Sequence, residues 1–346
     1  MSDLRKLLNT VYVTSENMYI SKEGETVLFK RDGHMVSQLP SHNLEGIVVF
    51  GNSVITPGLM SMCAEKNIKV SFISFTGKFQ VAVQSPIRGN VRLRRAHYRL
   101  SDNKDISLFL AKSFVLGKLF NCRCVLQRLL RDHGDRVDYD SVKTVCDRIF
   151  HSLGKINSAC DLYSLLGIEG EAAKNYYSVF GSLIIDSSGC FSFNGRSRRP
   201  PKDEVNALLS FFYTILAHDC MAALESVGLD PQVGFYHQER PGRSALALDL
   251  MEELRPYIVD RFVVSLINNR QVAKSDFLIM DNGSVLMKPD LKKNLLQVWQ
   301  KRKQDVITHP YLKEKVEVGL IPYCQALLLA RFVREDIDGY PPFLMR

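Results

Sequence analysis

Residues 85–99 read SPIRGNVRLRRAHYR, and the chain changes character across them. Before this stretch, short runs rich in β-branched and aromatic residues alternate with turn residues. After it, apolar residues recur at three- and four-residue spacing. The stretch itself holds five arginines: Arg88, Arg92, Arg94, Arg95 and Arg99. It reads as a basic linker over 87–100 joining two domains. Such a run is either a solvated charge strip or a phosphate-contacting one, in which each neutralised phosphate adds a salt-dependent increment to binding. His97 and Tyr98 add two rings able to stack on bases.

Working outward toward the N-terminus, the runs at 10–13, 18–20, 26–30 and 46–51 read as strands. The last of these, GIVVFG, is apolar enough to be fully buried. Residues 56–65 open ThrProGly, which predicts a helix with Thr56 as N-cap and Pro57 in its first turn. A strand returns at 69–74, and 75–83 closes a hairpin. Residues 1–86 are therefore expected to form a small β domain carrying one helix. Toward the C-terminus, helical periods cover 106–130, 139–153, 161–180, 203–227, 245–268, 289–304 and 322–335. AsnGly between two apolar runs in DFLIMDNGSVLM, 276–287, predicts a hairpin among them. The second domain, 101–346, is mainly helical, and the fold class is α+β.

Composition narrows the function classes. At 346 residues there is enough chain for two cores, and 46% hydrophobic with 24% charged residues excludes a disordered or fibrous protein. A net charge of +8 favours an anionic partner, nucleic acid being the commonest. The first residues are too broken by charge for a signal peptide, and no apolar run approaches the roughly 20 residues of a membrane span. No membrane role is expected. Eight cysteines without a CxxC pair argue for reduced thiols in a cytoplasmic setting, not for zinc or disulfides.

The chemistry concentrates in QVGFYHQERPGRSALALDLMEELRP, residues 232–256. His237 falls on a turn. A helix from about Ala245 places Leu250, Leu254, Ile258 and Phe262 on one face and Asp249, Glu252, Glu253 and Asp260 on the other. Pro256 is expected to kink or restart it. Neighbouring carboxylates repel, strongly if desolvated, so the acidic side is either a solvated face or the seat of a cation. Upstream, LLGIEGEAA (165–173) sets Glu169 in an apolar helix next to Gly170, whose missing side chain suggests close approach by another chain or a ligand. Glu171 lies on a different face and reads as a surface charge. NGRSRRPPKDEVN (194–206) is a basic loop with Arg196, Arg198 and Arg199, either exposed or gripping a DNA backbone, ahead of a helix that Asp203 caps. Together Glu169, His237, Asp249 and Glu252 offer three carboxylates and one imidazole. That set suits Mg²⁺ or Mn²⁺ better than zinc, and beside arginines it suits phosphodiester chemistry.

The blocks GIEGEAA, RSRRPPKDEVNALLSF, GFYH and LALDLMEELRP occur in this order and resemble the signature blocks of the Cas1 family of CRISPR-associated adaptation integrases. The ending QALLLARFVREDIDGYPPFL is similar to the type I-C branch. The resemblance covers the whole chain. It implies an N-terminal β-sandwich-like domain that carries a homodimer contact, and a C-terminal α-helical catalytic domain. It also implies a metal-dependent endonuclease and integrase that inserts short double-stranded DNA into a CRISPR array, with the small Cas2 protein bridging two dimers. By motif, Glu169, His237 and Glu252 match the family's metal ligands, and Asp249 the further acid that acts through water. Arg255 matches a basic position, and joins Arg95, Arg196, Arg198 and Arg199 as expected DNA contacts. Position 252 is Glu where some relatives carry Asp. Two other classes use the same residues differently: a DNA-binding scaffold with a structural acidic cluster, and a stand-alone repair nuclease cutting branched DNA.

Overall fold

The computed structural model describes residues 10–13, 15, 17–44, 46–66, 68–73, 79–83, 91–185 and 191–345. Arg88, Cys190 and the hairpin turn expected near residue 76 lie outside the described residues. The chain divides into two compact units: 1–89 with 287–306 and 317–320, and 90–286 with 307–316 and 321–346.

In the first unit, β1 (Thr10–Val13), β5 (Gly46–Phe50), β7 (Lys69–Ile73) and β8 (Phe79–Val83) form one sheet in that order, parallel except for the β7–β8 pair. The other sheet has the order β4 (His34–Pro40), β3 (Thr26–Arg31), β2 (Met18–Glu23), β6 (Val54–Ile55). Alternation explains the packing. Met18 and Ile20 are buried while Tyr19 between them is exposed, as a strand with one wet face requires. Ile20, Val27, Phe29, Ile47, Val49 and Val70 meet in a core shared by both sheets, with Leu59, Met62 and Cys63 from α1 (Pro57–Glu65). Pro57 occupies the first turn of α1 as expected, but the Thr56 side chain makes no capping hydrogen bond. Strand β4 was not singled out by apolar pattern, because nearly all of it is exposed. Its signal was Asp32–Gly33: both have positive φ, +50° and +81°, the turn that joins a tight hairpin and pairs Arg31 with His34.

The second unit opens where a linker was expected. Residues 91–102 are α2 (Val91–Asp102), a helix that buries Leu93 and His97, one turn apart. It is followed by α3 (Lys104–His133), α4 (Tyr139–Lys155), α5 (Leu162–Ser178), α6 (Glu204–Ser226), α7 (Ala245–Leu254) and α8 (Arg261–Asn268). A short hairpin, β9 (Phe277–Ile279) with β10 (Val285–Met287), turns at Gly283. Then come α9 (Pro289–Lys303), which groups with the first unit, and α10 (Ile321–Val333). By length and composition α6 would reach across a bilayer, contrary to the expectation from apolar runs; 61% of its apolar window is buried, as in a core helix. Asp203 caps α6 by accepting from the Asn206 N–H, as its sequence predicts.

At the centre lie α3 and α7. Helix α3 packs on α4, α5 and α7, and α7 also packs on α6 and α10. Between 245 and 260 only Leu248 and Arg255 escape full burial. The acidic side of α7 is thus not a solvated face: Asp249, Glu252, Glu253 and Asp260 are all buried. Pro256 does not end the helix; the backbone widens into a π-helical turn, Arg255–Asp260, before α8. Gly117 lets α3 approach α7, since a Cβ there would lie 2.7 Å from the Glu253 Cβ. A Cβ at Gly170, by contrast, would meet nothing within 4 Å among the described residues.

Candidate active site

Asp249, in the second turn of α7, organises the loop before it. Its Oδ2 accepts from the backbone N–H of Phe235 (2.7 Å) and Tyr236 (3.0 Å), and its Oδ1 from the N–H of His237 (2.8 Å). The loop comes this close because residue 234 is glycine: a Cβ there would stand 2.8 Å from that of Ala245 and 3.0 Å from Asp249 Oδ2. Asp249 Oδ1 also takes the imidazole Nδ1 of His237, at 2.7 Å. A carboxylate on Nδ1 makes that nitrogen the donor and turns Nε2 toward the cleft as the nitrogen that a neutral ring would offer a ligand. With four such contacts and no exposure, Asp249 is occupied by the loop and the imidazole. Behind the loop, His97 Nε2 meets the Val233 carbonyl at 3.0 Å and its ring packs on Phe235, so His97 is not available to stack on bases. Tyr98 donates to Asp230.

One turn further along α7, Glu252 reaches toward the same imidazole, with Oε1 3.9 Å from His237 Nε2. Arg255 Nη1 lies 2.9 Å from Oε1, and Lys118 Nζ, from α3, lies 2.6 Å from Oε2. The same ammonium pairs with Glu169 of α5. Burial alone would push the Glu252 carboxyl up; the charges of Arg255 and Lys118, with His237, outweigh it and hold the carboxyl at about 2. Burial likewise acts to lower the Lys118 ammonium, and Glu252 and Glu169 outweigh it, keeping the ammonium charged beyond the ordinary lysine range. Burial, then the charge of Glu169, raises the Tyr236 hydroxyl.

Arg255 is stacked over the ring of Tyr213 at 4.9 Å, and Arg196 over the same ring at 5.4 Å. Below that ring, Asp260 accepts from Tyr176 (3.0 Å) and from Tyr213; burial among these neutral donors raises its carboxyl to about 6. Arg196 is therefore not a solvated loop cation. Its guanidinium donates to Asn206 Oδ1 at 2.6 Å and to Ser210 Oγ at 3.1 Å, tying the loop to α6. Arg198 and Arg199 in that loop, and Arg95 on α2, are exposed.

The structure thus brings together Glu169, His237, Asp249, Glu252 and Arg255, which the sequence pointed to, and adds Lys118 and Tyr236, which it did not. The signal for Lys118 was a lone cation at a core position of an apolar helix, in FVLGKLF. Among the described residues, no three His, Cys, Asp or Glu side chains stand close enough to hold a metal ion as placed. The donor set nonetheless fits a hard divalent cation: two carboxylates and an imidazole whose Nε2 faces Glu252. Glu252 Oε2, buried beside Lys118, makes no well-directed hydrogen bond there.

An α+β chain with a β unit and a helical unit that buries an acid–imidazole–cation cluster is the class that fold and site define. Residues 11–301 match the family model of the CRISPR associated protein Cas1. The chain is 49% identical to a CRISPR-associated endonuclease Cas1 of Rhodospirillum rubrum, over 99% of this chain and 100% of that one. It belongs to the Cas1 family. Among solved structures it is similar in fold to a casposase bound to an integration product, with TM-score 0.83, 22% identity, and 98% and 94% of the two chains covered. It is also similar to a chain of a Cas6-RT-Cas1–Cas2 complex, with TM-score 0.83, 23% identity, and 100% of this chain against 37% of that one.

Proposed function

We propose that this Cas1-family chain is a metal-dependent DNA endonuclease and integrase, of the type I-C branch, acting in the cytoplasm. It would join the 3′-hydroxyl of a short duplex to a phosphodiester of a CRISPR repeat. One observation carries the reading: Glu252 of α7, Glu169 of α5 and the His237 imidazole converge, with Lys118 touching both carboxylates and Arg255 touching Glu252. Family membership and the integration product named for the casposase neighbour support it.

Glu169, Glu252 and His237 Nε2 would hold Mg²⁺ or Mn²⁺. When bound, such an ion supplies the charge that polarises a phosphate and acidifies an attacking hydroxyl. The chain's own residues do the positioning. Asp249 fixes the imidazole's tautomer and direction instead of acting through water. Arg255, stiffened by the Tyr213 ring, keeps Glu252 ionised and sets a guanidinium beside the place of a target phosphate. Gly234 lets the loop close on Asp249, which excludes water from that side. Exposed Arg95, Arg198 and Arg199 would contact the backbone of double-stranded DNA. Water in place of the 3′-hydroxyl gives hydrolysis at the same site. The β unit would carry a homodimer contact, and a small Cas2 partner, as in the complex named for the second neighbour, would bridge two dimers.

The test is a strand-transfer assay on a repeat-containing target, with and without Cas2, in Mg²⁺, Mn²⁺ and EDTA. Product that needs both metal and Cas2 is the expected result. Product unaffected by EDTA would sink the metal reading, and equal cleavage of any branched duplex without Cas2 would replace integration with stand-alone repair.

A further inference from the structure

The cation between the two acidic ligands is supplied by the protein itself. Lys118 follows Gly117, whose missing side chain lets α3 press against α7, and this approach carries the lysine stem into the cluster. Its side chain is only 9% exposed, and its ammonium touches Glu169 on one side and Glu252, at 2.6 Å, on the other. These are the two carboxylates, from two different helices, that the functional reading assigns to the metal. A buried Glu252 facing a part-buried Glu169 without a counter-charge would be strongly unfavourable, since both carboxylates repel each other away from water. The ammonium removes that cost and fixes their separation. A divalent ion held by the same oxygens cannot share the space, because like charges a few ångströms apart in a dry site repel strongly. Lys118 has a flexible four-carbon stem that can swing away, whereas Glu169 and Glu252 are anchored in helices. As placed, no three ligating side chains converge among the described residues, which is the arrangement expected while an ammonium stands between two of them.

We propose that Lys118 is a placeholder cation: its ammonium holds Glu169 and Glu252 together when no metal is bound and is displaced from them when a divalent ion enters. This inference rests on the metal-site reading of Glu169, His237 and Glu252. Metal binding then competes with an internal ion pair, so the resting site is stable but takes its ion weakly.

The experiment is direct Mn²⁺ titration, followed by the electron paramagnetic resonance of free ion, on the full chain as wild type and as Lys118→Met. The methionine keeps the stem's volume and removes the charge. Mn²⁺ affinity at least about tenfold tighter in Lys118→Met is expected, together with a lower melting temperature without metal that Mn²⁺ restores. Equal or weaker binding by the variant, with the wild type binding, overturns the placeholder and leaves the metal site standing. Binding by neither chain overturns the metal reading, and this inference with it. A second readout needs no variant: acetylation of Lys118 in the wild type, mapped by mass spectrometry against exposed Lys155. Added Mn²⁺ should raise Lys118 acetylation several-fold; unchanged or reduced labelling contradicts displacement.

Discussion

Glu252 and Glu253 are neighbours on one turn of α7, 4% and 0% exposed, yet their carboxyl groups are driven in opposite directions. Glu252 faces Arg255, Lys118 and His237 and is held at about 2. Glu253 faces the other way, toward the C-terminal tail. It accepts from the Tyr340 hydroxyl, from Gln325 Nε2 at 2.9 Å and from the Phe343 N–H at 2.9 Å. Those donors are neutral, so burial wins and raises Glu253 to about 7. Asn121 completes the back side, donating to the Glu253 and Phe343 carbonyls and accepting from the Met345 N–H. Equal burial therefore serves two purposes. Cations keep one carboxylate charged, as the proposed chemistry needs, and neutral donors use the other to fasten the tail.

The comparison breaks first if the charged side is not the reactive one. Replacing Glu169, His237 or Glu252 by Ala should cut metal-dependent cleavage and strand transfer by about 100-fold or more, the scale of losing one preorganised electrostatic group. DNA affinity should stay nearly intact if the exposed arginines supply it, as proposed. Wild-type activity in Mn²⁺ for any of the three would remove that residue from the site. Asp249→Asn should cost less, about 10- to 100-fold in Mn²⁺ affinity, since it acts through His237. A loss equal to that of Glu252→Gln would make Asp249 a ligand.

The neutral side is sharpened by pH. Glu253 binds its proton more tightly in the folded chain, so its contribution is fully present below its ordinary value of 4.5 and is lost as pH rises through about 7. Glu252 has the reverse sign: its contribution is present above 4.5 and is lost as pH falls through about 2. In Glu253→Gln, the loss of stability between about pH 5 and about pH 8 should shrink by up to roughly 3 kcal/mol relative to wild type. Melting curves at the two pH values check this, and an unchanged slope would return the pH dependence to other groups, Asp260 first. The smallest effects separate the arginines. Arg196→Ala should cost about 1–3 kcal/mol by removing its charge-assisted bonds to Asn206 and Ser210 and its stacking on Tyr213, whereas Arg198→Ala and Arg199→Ala should stay within about 0.5 kcal/mol. The latter two should lower the slope of log DNA affinity against log salt by about 0.9 per lost contact.

How far the sequence could be read follows the same division. Long helices were legible because their apolar period is local: 106–130 became Lys104–His133, and 139–153 became Tyr139–Lys155. Helix α2 was hidden by its arginines, although Leu93 and His97 stand four apart on its buried face. The four candidate site residues were visible as chemistry plus motif. What gives each its state was not, because the partners are distant in sequence. Lys118 meets Glu252 across 134 positions, and Glu253 meets Phe343 across 90. No spacing rule reaches that far. Gly117 and Gly234 permit the close approaches through partners elsewhere in the chain, so local spacing carries no mark of them.

In the proposed site, Glu252, Glu169 and the Nε2 of His237 hold one divalent ion. Pulsed electron paramagnetic resonance of Mn²⁺ bound to the intact chain reads it directly, because a ligating imidazole nitrogen couples to the metal's unpaired electrons. Nitrogen coupling in the wild type, lost in His237→Gln while the thermal melt is retained, is the predicted result. Bound Mn²⁺ in an active enzyme with no nitrogen coupling would contradict it.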